Sequence, residues 1–331
     1  MPNRQDWKNP NWLKRVKAWI EACLAQDGLE ITGALEQVHL RPWSTVFQVP
    51  TNRENFFFKA TSPALLHEAV VTFALFTWRP DSIQDIHAVN PDRGWMLMPD
   101  GGHKLREFIN TEDDYHHWEA LLPIFAELQM RLSEKTLELL DLGIPDRRLN
   151  VLPAKLEALM EDREAMQMGH AHELSLGELT HLRNFLPELT DLCLQLTDAG
   201  VPQSLHHGDL HDGNIFFRNG QYTFFDWGDS CLTHPFFSMR TVFVSLENTL
   251  GREEKSFWHN HLMQAYLEPW TKWATHFELV DVFQIARKVS PLCSALSWQR
   301  SLSDLTAEDK DPFAEAIPSL LRELLDLNRE T

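Results

Sequence analysis

The stretch His207-Gly208-Asp209-Leu210-His211-Asp212-Gly213-Asn214, continued by Ile215-Phe216-Phe217-Arg218-Asn219-Gly220-Gln221-Tyr222-Thr223-Phe224-Phe225-Asp226-Trp227-Gly228-Asp229, decides how this chain is read. Asn219-Gly220 is the dipeptide that best accepts positive φ at both centres of a type I′ turn, and strand-like runs flank it on both sides. The spacing predicts a two-residue hairpin in which Arg218 pairs with Gln221 and Phe217 with Tyr222. Carried outward, that register sets Asn214 opposite Phe225 and brings Asp226 out beside Gly213. Asp209 stands just upstream of Asn214, so Asp209, Asn214 and Asp226 are expected to converge at the open end of the hairpin. Gly208, Gly213 and Gly228 are expected where a side chain would block the backbone path.

Further upstream the texture is that of a small sheet. Segments 37–40, 45–49 and 55–60 read as short strands, separated by Arg41-Pro42-Trp43-Ser44 and by the polar turn Thr51-Asn52-Arg53-Glu54, which predicts an antiparallel meander. A helix precedes it: Asn9 caps, Pro10 suits the first helical position, and Trp12, Val16, Ile20 and Leu24 recur at helical spacing until Gly28. Ser62-Pro63 is expected to open a second helix running to about Trp78, and Gly94-Trp95-Met96-Leu97-Met98 reads as another strand. Beyond residue 98 nearly everything apart from the hairpin has helical periodicity.

Composition narrows the class. The chain has 331 residues, 43% of them hydrophobic, enough to bury a substantial core. Its four cysteines, Cys23, Cys193, Cys231 and Cys293, lie far apart, which points away from a zinc site or a disulfide framework and towards a reducing, cytoplasmic setting. The polar start, Met1 to Lys8, lacks the apolar core of a signal peptide, and no run of apolar residues is long enough to cross a membrane. A formal net charge of −18 disfavours nucleic acid as a partner and favours a cationic ligand.

Hard oxygen donors on a tight hairpin suit magnesium, which takes one or two carboxylates and completes its shell with water and phosphate oxygens. Lys59, in Phe56-Phe57-Phe58-Lys59-Ala60, is a single cation in an apolar strand and needs an anionic partner, such as a phosphate or a carboxylate, to stay charged. Together these features point to metal-assisted phosphoryl transfer.

His207-Gly208-Asp209-Leu210-His211-Asp212-Gly213-Asn214 followed by Asp226-Trp227-Gly228-Asp229 resembles the catalytic and metal-binding loops of the aminoglycoside phosphotransferase and choline kinase families. Protein kinases carry the related H-R-D-L-x-x-x-N and D-F-G pair. The resemblance implies an α+β, two-lobed protein-kinase-like fold with a small antiparallel-sheet N-lobe and a larger, mostly helical C-lobe. It implies an N-terminal nucleotide-binding lobe over 1–98, with the leading helix, and a C-terminal lobe over 99–331 that holds the catalytic loop, the hairpin and the acceptor site. It also implies that Asp209 orients or deprotonates a substrate hydroxyl and that Asn214 and Asp226 hold Mg2+ against the phosphates of ATP or GTP. Lys59 takes the role of the phosphate-binding strand lysine and Glu68 that of its helix partner.

The loop Arg41-Pro42-Trp43-Ser44-Thr45 departs from the kinase pattern in lacking glycine, and Ser44 and Thr45 are the expected donors to the nucleotide there. The backbone around Met96 and Met98 is expected to meet the purine. His207 and His211 read as hydrogen-bonded supports of the loop, and Asp212 and Asp229 as turn or cap residues. The acceptor is expected between the catalytic loop and the segment from Glu253 to Arg300, where Trp258, Trp270, Trp273 and Trp298 read as core. Gly143-Ile144-Pro145-Asp146-Arg147-Arg148 reads as a surface loop.

The implied activity is a small-molecule kinase that moves the γ-phosphate of ATP or GTP to a hydroxyl of an aminoglycoside-like or other small metabolite, with or without an amine. Two alternatives stand beside it. A nucleotide-binding pseudokinase would not need Asp209, and a kinase of protein side chains would be expected to carry an A-P-E segment after Asp226, which this chain lacks.

Overall fold

The computed structural model describes residues 6–250 and 257–329; the first five residues of the polar leading stretch and Glu253 lie outside them. The chain divides into two compact units. The first takes the chain up to Lys104, then Asn214–Gly228 and Arg300–Lys310; the second takes Leu105–Gly213, Asp229–Gln299 and the chain from Asp311.

The first unit is built on a five-stranded antiparallel sheet, in the order β1 (Glu36–Leu40), β2 (Ser44–Pro50), β3 (Asn55–Thr61), β5 (Trp95–Pro99) and β4 (Ala88–Asn90). Helix α1 (Pro10–Leu24) starts as expected, with the Asn9 side chain accepting the Asn11 N–H at 2.9 Å, and buries Trp12, Val16, Ile20 and Leu24. Strand alternation divides β3 between two environments. Phe56, Phe58 and Ala60 join the α1 residues, Trp95 and Leu97 in one buried cluster, while Phe57 packs with Ala69, Met96 and Met98 in another. Phe58 is fully buried, with ring centroids 6.2 Å from Trp12, 5.9 Å from Trp19 and 5.6 Å from Trp95.

Helix α2 (His67–Trp78) starts later than the Ser62-Pro63 signal suggests. Pro63–Leu65 first forms a 3-10 turn, and the Ser62 side chain makes no cap bond. The Asn219-Gly220 hairpin forms in the expected register, Arg218↔Gln221 through Ile215↔Phe224, with φ of 52° at Asn219 and 80° at Gly220. Phe225 N–H then donates to Asn214 C=O at 3.1 Å, so the pairing runs one step beyond the strands. The hairpin is tied to its own unit twice. β6 (His103–Lys104) adds to its edge, and Phe224 exchanges backbone bonds with Ser82 and Gln84 just after α2.

The second unit is mostly helical, with α3 (His116–Leu132) buried along most of its length. Gln129 on this helix gathers neighbouring segments: its amide donates to Leu205 C=O, Pro235 C=O and the Ser238 hydroxyl, and it accepts the Tyr266 hydroxyl at 2.6 Å. The structure adds a feature the periodicity does not reveal, a two-stranded pairing of Ser204–His206 with Cys231–Thr233. Strands this short carry no alternation to read. Among the described residues no helix is long and apolar enough to cross a membrane.

Because Phe58 is fully enclosed where β3 meets α1, Phe58→Ala should destabilise the fold by about 3–5 kcal/mol, seen as a lowered midpoint in urea unfolding.

Candidate active site

Period-2 alternation turns Lys59 away from the aromatic cluster that holds Phe58. Its Nζ lies 2.5 Å from Glu68 Oε1, in the first turn of α2, and 2.7 Å from Asp226 Oδ1, at the end of the hairpin. The Lys59 side chain is 10% exposed, that of Glu68 2% and that of Asp226 43%. Burial alone would drive the ammonium to lose its proton, but Asp226 and Glu68 together outweigh it and hold Lys59 above the ordinary lysine range. Lys59 is therefore charged throughout the physiological range. Glu68 suits its place because a carboxylate in the first turn complements the helix dipole. Gly228 leaves room for it, since a Cβ there would come within 3.1 Å of Glu68 Oε2.

Asp226 has φ of +67°, a left-handed conformation that is uncommon for a residue with a side chain and most tolerated by Asn and Asp. It follows directly on the Phe225–Asn214 backbone bond, so the hairpin register fixes where both metal candidates leave the ladder. Asn214 is buried and Asp226 half-exposed. Among the described residues no three His, Cys, Asp or Glu side chains gather as a metal cage. A donor set of one carboxylate and one amide oxygen fits a hard divalent ion that draws its remaining ligands from phosphate and water.

The residues expected to meet the nucleotide fare differently. Thr45 is fully buried; its hydroxyl donates to His39 C=O at 3.1 Å and accepts from Gln37 Nε2 at 2.9 Å, so its single proton is committed within the β1–β2 pair. Ser44, beside the glycine-free turn, is also buried. Met96 lies in register between Lys59 on β3 and Val89 on β4. Met98 pairs only with Phe57, beyond the last β4 residue in register.

Asp209 belongs to the second unit. Its N–H donates to His207 Nδ1 at 3.2 Å, and its Oδ2 lies 3.3 Å from His211 Nε2, so both histidines support the loop as their positions suggest. Gly208 has φ of +83° and a Cβ there would stand 2.3 Å from Asp229 C=O, a backbone approach that only glycine permits. The paired strands Ser204–His206 and Cys231–Thr233 end next to this contact and hold the two loop stems together. Asp212 is an ion-pair partner rather than a simple turn residue: Arg106 Nη2 donates to its Oδ1 at 3.0 Å. Burial raises the Asp212 carboxyl, but its surroundings, with the Arg106 guanidinium in hydrogen-bond reach, keep it below the ordinary range.

Three arginines escaped the sequence reading. Arg106 is one. Arg300 donates to Ala64 C=O at 2.7 Å and reaches His67 Nδ1 at 3.1 Å, bracing the entry to α2 beside Glu68. Arg147, expected in a surface loop, is 4% exposed and donates to Cys293 C=O and to the Ser297 hydroxyl. All three act on segments remote in sequence, and no local pattern marks them. Of the tryptophans read as core, Trp270 is fully buried, whereas Trp273 is 37% exposed with the Lys272 ammonium over its ring.

A family model described as the phosphotransferase enzyme family matches residues 78–276, more than half of the chain. The chain belongs to this family and is a phosphotransferase with an alcohol group as acceptor. No curated protein matches it in sequence. Its fold is protein-kinase-like and similar to that of several small-molecule kinases. An ethanolamine kinase of Plasmodium vivax is 15% identical, with 97% of this chain and 89% of that one covered and a TM-score of 0.60. A choline kinase of Streptococcus pneumoniae is 11% identical, with 94% and 99% covered and a TM-score of 0.60. A macrolide 2′-phosphotransferase type I is 14% identical, with 93% and 96% covered and a TM-score of 0.56.

The buried cation makes its own prediction. Lys59→Met leaves Glu68 without its counter-charge and should cost about 3–5 kcal/mol in urea unfolding, and adding Glu68→Leu should recover much of that loss.

Proposed function

We propose that this protein is a magnesium-dependent kinase that transfers the γ-phosphate of ATP or GTP to a hydroxyl of a small, amine-bearing molecule. The observation that carries the reading is the Lys59 ammonium held 2.7 Å from Asp226 and 2.5 Å from Glu68. A buried lysine clamped by a helix glutamate and facing a half-exposed hairpin carboxylate is an arrangement suited to receiving a nucleotide's phosphates.

In this reading Lys59 binds phosphate oxygens and Glu68 keeps its ammonium aimed. Asp226 and Asn214 hold the magnesium ion, and Asp209 orients the attacking hydroxyl and accepts its proton. Magnesium, when bound, supplies neutralisation of the charge on the transferring phosphate. The chain's contribution is then mostly positioning and electrostatics, as phosphoryl transfer requires. Residues 1–98 serve as the nucleotide lobe and residues 99–331 as the acceptor lobe. Ser44 and the backbone around Met96 and Met98 contact the nucleotide, with Thr45 shaping the sheet behind them. An amine on the acceptor is supported by the net charge of −18, which draws cations towards the protein.

The metal assignment is tested by thermal unfolding. ATP should raise Tm more with magnesium than with EDTA, and Asp226→Ala should abolish the magnesium-dependent increment. Equal increments in wild type and variant would contradict the role of Asp226.

A further inference from the structure

Arg106 reaches the catalytic loop from far upstream, at the start of the second unit. Its Nη2 donates to Asp212 Oδ1 at 3.0 Å and lies 3.2 Å from His211 Nδ1. Gly213 N–H donates to the same Nδ1 at 2.9 Å. The guanidinium occupies space that any side chain at residue 213 would need: a Cβ there would fall 2.2 Å from Nη2.

An imidazole nitrogen faced by two N–H donors has to accept, so the ring proton sits on the other nitrogen. That nitrogen is Nε2, 3.3 Å from Asp209 Oδ2. The charged groups around the ring are Asp209, Asp212 and Arg106. Burial opposes a second proton, while hydrogen bonding to the Asp209 and Asp212 carboxylates and the charge of Asp209 favour it over Arg106; with both carboxylates taken as bonded to the ring, it is lifted to about 9. The second proton, however, would have to point at Gly213 N–H and Arg106, with Asp212 Oδ1 3.7 Å away and beyond hydrogen-bond reach. The geometry therefore favours the neutral ring with its proton on Nε2.

We propose that Arg106 is a positioning residue for phosphoryl transfer: it keeps His211 Nδ1 an acceptor, so that His211 Nε2–H grips one oxygen of Asp209 and fixes the orientation of that carboxylate towards the attacking hydroxyl. The proposal rests on the reading of Asp209 given above. Asp212 balances the charge of Arg106 and holds it over Gly213.

A double-mutant cycle on the full chain tests it, with magnesium-ATP as substrate and ADP release as the readout. Arg106→Met and His211→Leu should each lower kcat by about tenfold to hundredfold while KM for ATP stays within about twofold. Because Arg106 acts through His211, the double variant should be no slower than His211→Leu alone. His211→Gln, whose amide N–H can still donate to Asp209, should regain most of the lost rate. Losses that multiply in the double variant, or an Arg106→Met that raises KM at unchanged kcat, overturn the proposal.

Nitrogen-15 NMR of the labelled imidazoles reads the same question without turnover. His211 should show a bare Nδ1 and a protonated Nε2 in the wild type, with that preference weakened in Arg106→Met; a protonated Nδ1 in the wild type overturns the proposal. Asp209→Asn is the control that separates the two levels. Undiminished ADP release in that variant overturns the reading of Asp209 itself, whereas a loss there with full activity in Arg106→Met and His211→Leu overturns only the positioning role.

Discussion

A charged ammonium enclosed by protein has to be compensated on the spot, and the first unit is organised around that demand. Lys59 comes from the middle of the sheet, Glu68 from the helix that follows it, and Asp226 from a hairpin far along the chain. Neither Lys59 nor Glu68 can satisfy its charge locally. Without α2 Lys59 would keep only the half-exposed Asp226 as a partner, and without the sheet Glu68 would lose the cation it is buried against. The pair of carboxylates is also asymmetric: Glu68 is sealed in, whereas Asp226 keeps almost half of its surface open. The closed carboxylate fixes the cation, and the open one leaves the assembly able to take up further ligands.

The same logic orders the second unit around the loop that carries Asp209. A two-stranded ladder pins His206 to Cys231, Gly208 lets the loop backbone lie against Asp229, and the two loop histidines hold Asp209 from both sides. Buried histidines that remain neutral are useful here because they accept and donate in fixed directions. His206, for example, is pushed down to about 3 by burial, with Arg147 and Arg240 adding to the effect, and bonds the Ser238 hydroxyl as a neutral ring.

How far this could be read from sequence follows from the range over which each cause acts. The Asn219-Gly220 turn, its register and helix α1 rest on neighbouring residues, and they stand in the structure as their local chemistry predicts. Helix α2 begins later than its proline signal because Pro63–Leu65 closes a tighter turn first. β4, β6 and the pairing of residues 204–206 with 231–233 are too short to show a period. In the site, Lys59 and Glu68 stand nine residues apart on consecutive elements, within reach of a pattern. Asp226 joins them across 167 residues, and Arg106 meets Asp212 across 106; such partners are set by packing alone. Thr45 shows the reverse limit. It occupies the expected stretch, yet its hydroxyl is engaged inside the sheet.

Membership of the phosphotransferase family gives the reaction class, and the arrangement around Lys59 gives a physical reason why this chain would carry it out; the acceptor is left to its chemistry. The most direct measurement is transfer of the labelled γ-phosphate of ATP, with magnesium, across a panel of amino alcohols, aminoglycosides, sugars and hydroxy amino acids. The account predicts that at least one hydroxyl-bearing amine becomes labelled and that labelling stops when magnesium is chelated. Tight binding of magnesium-ATP with no label reaching any alcohol, or water, would contradict it.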